Sequence, residues 1–260
     1  MPRMTEDLLT AYDGELRGAG LLPAGSHAEQ DGPLVRVVGG HRGFVSGPRD
    51  LSDHDVDALI EAQKALFAAR GEVVEWKVRG HDLPEDLPAR LTAAGFVPEE
   101  RETVVIGRVR DLPRPGDPPA GVRIRRVADA GSLTGIAAMQ SEVWDTDASW
   151  IAAHLTAHLA AAPDRVAIFV AEAGGRTVSA AWTFLGEGRR FCTLWGGSTL
   201  AAWRGRGLYR ALLAARAELA GRHDYPYLQV DASPDSLPIL ERLGFHAVTT
   251  TTPYLWTPGA

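Results

Sequence analysis

Arg204-Gly205-Arg206-Gly207 places two cations and two glycines directly ahead of a stretch with helical spacing, and that combination can hold an anion. The first backbone N–H groups of a helix lack intrahelical acceptors, and that end of the helix carries partial positive charge. Glycines at 205 and 207 would let the main chain come close to a phosphate, while Arg204 and Arg206 add full charges. A pyrophosphate would then be gripped mainly by amides. An ordinary glycine-containing loop before an amphipathic helix satisfies the same short pattern, which is a weak signal by itself.

The elements around this turn narrow the reading. Upstream, Phe191, Thr193, Leu194 and Trp195 suit a strand, and Gly196-Gly197 interrupts it as a bulge or a close ligand approach would. Downstream, Leu208, Ala211, Leu212, Ala215 and Leu219 recur at helical spacing on one face. Strand, glycine turn and helix, in that order, would aim a helix start at whatever lies beside the strand.

Arg204 to Tyr209 is similar to the R-x-x-G-x-G/A signature of the GNAT superfamily of acyl-CoA N-acyltransferases. Pro238-Ile239-Leu240-Glu241-Arg242-Leu243-Gly244-Phe245 resembles the closing helix of that family and its Gly-Phe ending. The resemblance covers roughly residues 122–260. Two positions depart from it: Tyr209 stands at the final Gly or Ala, and Leu240 stands where many members carry a tyrosine general acid.

The resemblance implies acetyl-CoA as co-substrate and a primary amine of a small molecule or peptide as acceptor. It assigns the main chain of Gly197, Ser198 and Thr199 to the pantetheine and the acyl carbonyl, and the loop Arg204, Gly205, Arg206, Gly207, Leu208, Tyr209 and Arg210 to the pyrophosphate. Acyl transfer to an amine needs a neutral nucleophile, a donor for the oxyanion and a proton for the thiolate. Asp231, at the end of the strand after the 208–220 helix, is a candidate for proton transfer; capping Ser233 and Ser236 is its structural alternative. Tyr209 and Ser233 are candidate proton donors, with buried hydroxyls as the alternative, and Glu187 and Glu142 are weaker candidates with surface charge as theirs. A non-catalytic acyl-CoA-binding sensor or structural protein, motivated by Leu240, and a protein binding some other phosphate are the competing functions.

His154 and His158 fall at i, i+4, a spacing that can bind metal, but no third ligand accompanies them, so a solvent-facing pair and no metal are expected. Trp144, Trp150, Trp182 and Trp195 are expected in the core, with Trp144 and Trp195 the ones suited to an acceptor pocket. The single cysteine, Cys192, excludes an intrachain disulfide and reads as a buried thiol.

A chain of 260 residues with 45% hydrophobic and 23% charged residues has the composition of a globular protein large enough for two domains. Its net charge of −6 disfavours nonspecific nucleic-acid binding. No segment reads as a signal peptide or membrane span, so a cytoplasmic monomer or homodimer is expected. The expected fold is α/β (α+β): two tandem GNAT-like domains, each a mixed, mostly antiparallel sheet flanked by helices. Residues 1–112 form the first, the Pro/Gly segment 113–121 links, and 122–260 form the second, acetyl-CoA-binding domain. Gly95-Phe96 and Gly244-Phe245 lie 149 positions apart, and at that offset Leu91 falls opposite Leu240 and Asp82 opposite Asp231, as in a diverged duplication. The first copy has Gly47-Pro48-Arg49-Asp50-Leu51-Ser52-Asp53 where the second has its Arg-Gly turn, so it is expected not to hold CoA. Further expectations are a loop over Leu21–Gly32, Ser52 capping the long helix of the first half, a helix over Leu83–Ala94, and an edge position or bulge at Pro253.

Overall fold

The computed structural model describes residues 2–22 and 24–259, with side chains from residue 5 onward; Met1, Pro23 and Ala260 lie outside the described residues. In chain order the elements are α1 (Pro2–Leu16), β1 (His27–Asp31), β2 (Leu34–Val38), β3 (Gly43–Ser46), α2 (Val56–Arg70), β4 (Val74–Arg79), α3 (Leu87–Ala93), β5 (Val97–Pro98) and β6 (Glu102–Arg108). There follow β7 (Val122–Val127), α4 (Ala130–Trp144), α5 (Trp150–Ala161), β8 (Val166–Ala173), β9 (Arg176–Leu185) and β10 (Phe191–Thr199). The chain closes with α6 (Leu208–Arg222), β11 (Tyr227–Ala232), α7 (Leu237–Arg242) and β12 (Phe245–Trp256). Among the described residues no helix is long and apolar enough to cross a membrane.

Two compact units result. The first comprises Met1–Val105, Asp231–Leu240 and His246–Ala260; the second comprises Ile106–Val230 and Glu241–Phe245. Residues 231–240 and 246–260, which the division of the sequence at 113–121 groups with 122–260, thus belong to the first unit. The cause is visible in the pairing: β12 runs antiparallel to β4 from Thr251↔Arg79 to Trp256↔Val74, and it carries the C-terminal segment with it.

In the first unit β1 and β2 form a hairpin, β2 pairs antiparallel with β3, and β3 runs parallel to β4. The crossover between β3 and β4 is α2. Asp55, not Ser52, caps α2, accepting from the Ala58 amide at 3.0 Å, while the Ser52 amide is itself engaged by Asp50 Oδ1 at 2.8 Å. Gly71 ends the helix in the left-handed region, φ 66°, with its N–H directed at the last carbonyls. The buried face of α2, Val56, Ile60 and Phe67, packs with Val45, Val74, Trp76 and Phe96 in the core of the unit.

Three expectations are corrected here. His27–Asp31 is a strand rather than loop; four of its five residues are polar, and most of the strand stays exposed on an edge, where apolar alternation has nothing to bury. The helix expected from Leu83 begins only at Leu87, because the Leu83 amide donates to Arg49 O at 2.8 Å and its carbonyl accepts from Leu51 N at 2.9 Å. Proline at 84 also disfavours helical backbone at 83. Pro253 lies opposite Lys77 on β12, a strand with neighbours on both sides, and its carbonyl accepts from Glu99 N at 2.8 Å.

In the second unit β7, β8, β9 and β10 pair antiparallel in sequence-neighbour order. β11 then runs parallel to β10 over three pairs, Phe191↔Tyr227 to Thr193↔Gln229, with α6 as the crossover. β9 is buried from Thr177 to Leu185, and both α4 and α6 pack on it. A strand covered in this way reads as a continuous apolar run rather than an alternation.

Phe67 is fully buried on α2. Replacing it by Ala should destabilise the protein by about 3–5 kcal/mol, the range for truncating a buried aromatic. A urea midpoint that falls by the corresponding amount with an unchanged m-value checks this.

Candidate active site

The second unit builds its site around an irregularity in β10. Pairing with β9 proceeds from Cys192↔Leu185 to Trp195↔Trp182, shifts, and resumes at Ser198↔Ala180. Gly196 takes φ 62°, and a Cβ on it would lie 1.9 Å from the Trp182 ring, so only glycine fits. Helix α4 fixes the bulge from the side: Gln140 Nε2 donates to the Gly196 carbonyl at 2.8 Å, and Trp144 Nε1 donates to Gln140 Oε1 at 2.9 Å and to Ser198 Oγ at 3.3 Å. Ser179 Oγ donates to the Ser198 carbonyl at 2.7 Å and meets Thr199 Oγ1 at 2.8 Å.

Beyond the bulge the chain turns through residues 200–207 into α6. Gly207 is the N-cap in the left-handed region, φ 80°, with no side chain capping the helix, and Gly205 has φ 72°. Space is open where a Cβ would stand on either glycine. Among the described residues no side-chain cap hydrogen bond is made at this start of α6, which leaves its first amides as a cradle open to a ligand. Arg204 Nε donates to Thr199 O at 3.2 Å, and the Arg206 guanidinium lies 4.7 Å from the centre of the Trp203 ring. Gly197, Ser198, Thr199 and the run Arg204 to Arg210 all belong to this unit. The cradle suits a phosphate by its donors and its charge.

Tyr209, on the first turn of α6, rests against the bulge: a Cβ on Gly197 would lie 3.0 Å from its ring. Burial raises its phenol above the usual value, and Arg216 opposes that shift. Arg216 is itself fully enclosed, with Nε donating to Leu212 O at 3.2 Å, and burial brings it down to about 10. Cys192 is buried, and desolvation pushes its thiol up to about 12.

Asp231 and Ser233 belong to the first unit. Asp231 Oδ2 is ion-paired with Lys77 Nζ at 2.8 Å. Ser233 opens α7, its Oγ 3.3 Å from the Ser236 amide and 3.1 Å from Ser236 Oγ. Leu240 is fully buried. Glu142 and Glu187 are exposed and pair with Arg176 and Arg165 respectively.

Around Asp231 the first unit holds a polar cluster that short motifs did not reveal. Arg79 Nη1 donates to Ser46 Oγ at 2.8 Å, and Arg79 Nε reaches the Tyr12 hydroxyl at 3.4 Å. Burial alone would lower Lys77, yet the Asp231 and Glu75 carboxylates raise it above its usual value. Desolvation, and then the charge of Asp231, raise Glu102 to about 7. The available signal was alternation: Glu75, Lys77 and Arg79 share one side of β4, but their partners come from α1, β3 and β11.

The histidine and tryptophan expectations change in part. His158 is buried, stacked at 4.5 Å on Phe184, and desolvation lowers it to about 4. Trp182 is buried, whereas Trp144, Trp150 and Trp195 are 60%, 40% and 48% exposed. No group of three or more potential metal ligands occurs among the described residues.

No protein-family model and no curated protein matches the chain. Solved structures do. A GCN5-related N-acetyltransferase from Kribbella flavida superposes with a TM-score of 0.69 at 20% identity, covering 99% of this chain and 95% of that one. A tandem GNAT protein from the clavulanic acid biosynthesis pathway gives 0.66 at 13% identity, covering 100% and 96%. A GCN5-related N-acetyltransferase from Sphaerobacter thermophilus gives 0.61 at 15%, covering 98% and 86%. The chain therefore has the GNAT fold. Coverage of its whole length by a tandem member shows that it carries that fold twice.

Glu102 generates a pH prediction. Its folded pKa, about 7, exceeds the usual 4.5, so the folded state keeps a proton that the unfolded chain releases. Its contribution to stability therefore falls as pH rises through that window and stays low above it. In Glu102→Gln the melting temperature relative to the parent should be higher at pH 8 than at pH 5, which parallel thermal scans will read.

Proposed function

We propose that the protein is an acetyl-CoA-dependent N-acetyltransferase acting on a primary amine by direct attack in a ternary complex, with residues 122–260 supplying the acyl-CoA site. The observation that carries this is the pairing of an uncapped α6 start at Gly207 with a bulged β10 immediately before it. In this reading the amides of Gly205 to Arg210, with Arg204 and Arg206, hold the pyrophosphate. The main chain of Gly197, Ser198 and Thr199 orients the pantetheine and the acyl carbonyl beside the bulge. Bound acetyl-CoA would supply a thioester, an acyl group already activated toward amines.

The proton bookkeeping falls to few groups. Tyr209, a phenol whose ring rests against Gly197 in the bulge, is the proposed donor to the departing sulfur. Asp231 is occupied by its ion pair with Lys77, and Ser233 Oγ is engaged with the Ser236 amide ahead of α7. The acceptor amine then loses its proton to solvent. Residues 1–112, whose long helix begins under the Asp55 carboxylate with Asp57 in its first turn, are proposed not to bind CoA, because those carboxylates compete with phosphate for the helix amides.

Buried Leu240 favours a second reading, an acyl-CoA binder without turnover. Thiol release from acetyl-CoA across a panel of amines, above the blank without acceptor, is expected and excludes it. Calorimetry should show acetyl-CoA binding that Gly207→Glu weakens by about tenfold or more, since the variant forces a side chain into the φ 80° position and a carboxylate onto the cradle. Unchanged affinity in that variant overturns the acyl-CoA site.

A further inference from the structure

We infer that the exposed indoles of Trp144 and Trp195, on either side of the β10 bulge, form a shelf that stacks the ring of the acceptor, so that the acceptor class is arylalkyl primary amines. The inference rests on the acyl-transfer reading above and deepens it.

Position comes first. Trp195 immediately precedes Gly196 in the bulge, and Trp144 is hydrogen-bonded to Ser198 Oγ on its far side. Both residues therefore stand next to Gly197–Thr199, the segment proposed above to orient the acyl carbonyl. Their exposures, 48% and 60%, leave large apolar surfaces in water, a cost that a ligand would relieve. Neither indole is loose. Trp195 Nε1 donates to Thr193 Oγ1 at 2.9 Å, and Trp144 Nε1 is shared between Gln140 and Ser198, so both rings are oriented before anything binds.

The support behind the shelf is aromatic as well. From Trp195 the rings continue to Phe184 at 6.1 Å, His158 at 4.5 Å, His154 at 4.5 Å and Trp150 at 5.6 Å, ending on a residue 40% exposed. His158 is neutral at physiological pH, and its buried Nδ1 has no hydrogen-bond partner. A flat aromatic group gains from offset stacking on such a surface. A polyamine would instead seek carboxylates, and Glu142, on the same helix as Trp144, is engaged by Arg176. In the transfer the amine nitrogen bonds to the acyl carbon, the carbon–sulfur bond breaks with its electron pair leaving on sulfur, and the thiolate takes a proton while nitrogen loses one.

The test compares 2-phenylethylamine, hexylamine and spermidine at saturating acetyl-CoA by thiol release, in the parent, Trp195→Ala, Trp195→Phe and Trp144→Ala. The expected kcat/KM for the aryl amine exceeds that for hexylamine by tenfold or more, through KM. Trp195→Ala and Trp144→Ala should each abolish most of that ratio, and Trp195→Phe should restore it. A preference for spermidine or hexylamine, or a ratio untouched by both alanine variants, overturns the shelf. If acetyl-CoA shows no heat in calorimetry, the acyl-transfer reading falls by itself. Quenching of tryptophan fluorescence by 2-phenylethylamine alone, lost in Trp195→Ala, would still support the shelf, and no quenching would overturn it.

Discussion

Much of the second unit depends on a single carbonyl pointing out of a sheet. At Gly196 the pairing between β9 and β10 slips, and the peptide that would have joined the ladder is held instead by the side-chain amide of Gln140. A backbone carbonyl without a partner in such a place would be expensive, so the bulge needs α4 beside it. The Trp182 ring beneath Gly196 completes the constraint, since any Cβ there would collide with it. Trp144 and Tyr209 then meet the bulge directly, Trp144 at Ser198 and Tyr209 at Gly197.

The starts of α2 and α6 show how little sequence separates two electrostatic outcomes. Both helices run for 15 residues and both follow a β-strand and a turn. At α2 the Asp55 carboxylate satisfies the Ala58 amide and Asp57 adds negative charge. At α6 a left-handed glycine ends the turn and, among the described residues, no side-chain cap hydrogen bond is made. The proposed division of labour between the two halves rests on that difference, because an N-terminus already supplied with an anion has little to offer a phosphate.

The polar cluster of the first unit shows a different economy. Lys77, Arg79, Tyr12, Glu102 and Asp231 are drawn from well-separated parts of the chain and partly or wholly removed from water. Ion pairs in such settings roughly offset their desolvation, and the loss of one partner leaves the other stranded. Asp231 is accordingly understood through Lys77, a residue 154 positions away.

Local chemistry explains what could be read directly. The Gly196-Gly197 interruption of β10, the helical spacing that begins at Leu208 and the Gly-rich turn into α6 are all properties of a few adjacent residues. The resemblance of Arg204–Tyr209 and Pro238–Phe245 to GNAT motifs pointed to the fold class, and the offset between the two Gly-Phe helix endings to its repetition. What failed locally had a distant cause. Leu83 stays out of its helix because Arg49 and Leu51 claim its backbone, and His158 leaves the solvent because Phe184 offers it a face. Pro253 sits inside a sheet that β4 extends. The sequence by itself determined most of the elements and the glycine turn, because glycine, proline, caps and apolar period act within a few residues, and its resemblance to those two GNAT motifs pointed to the fold class. Only the tertiary structure decided which carboxylates are paired, which tryptophans face water and to which unit the last strand belongs, because those depend on partners brought from elsewhere along the chain.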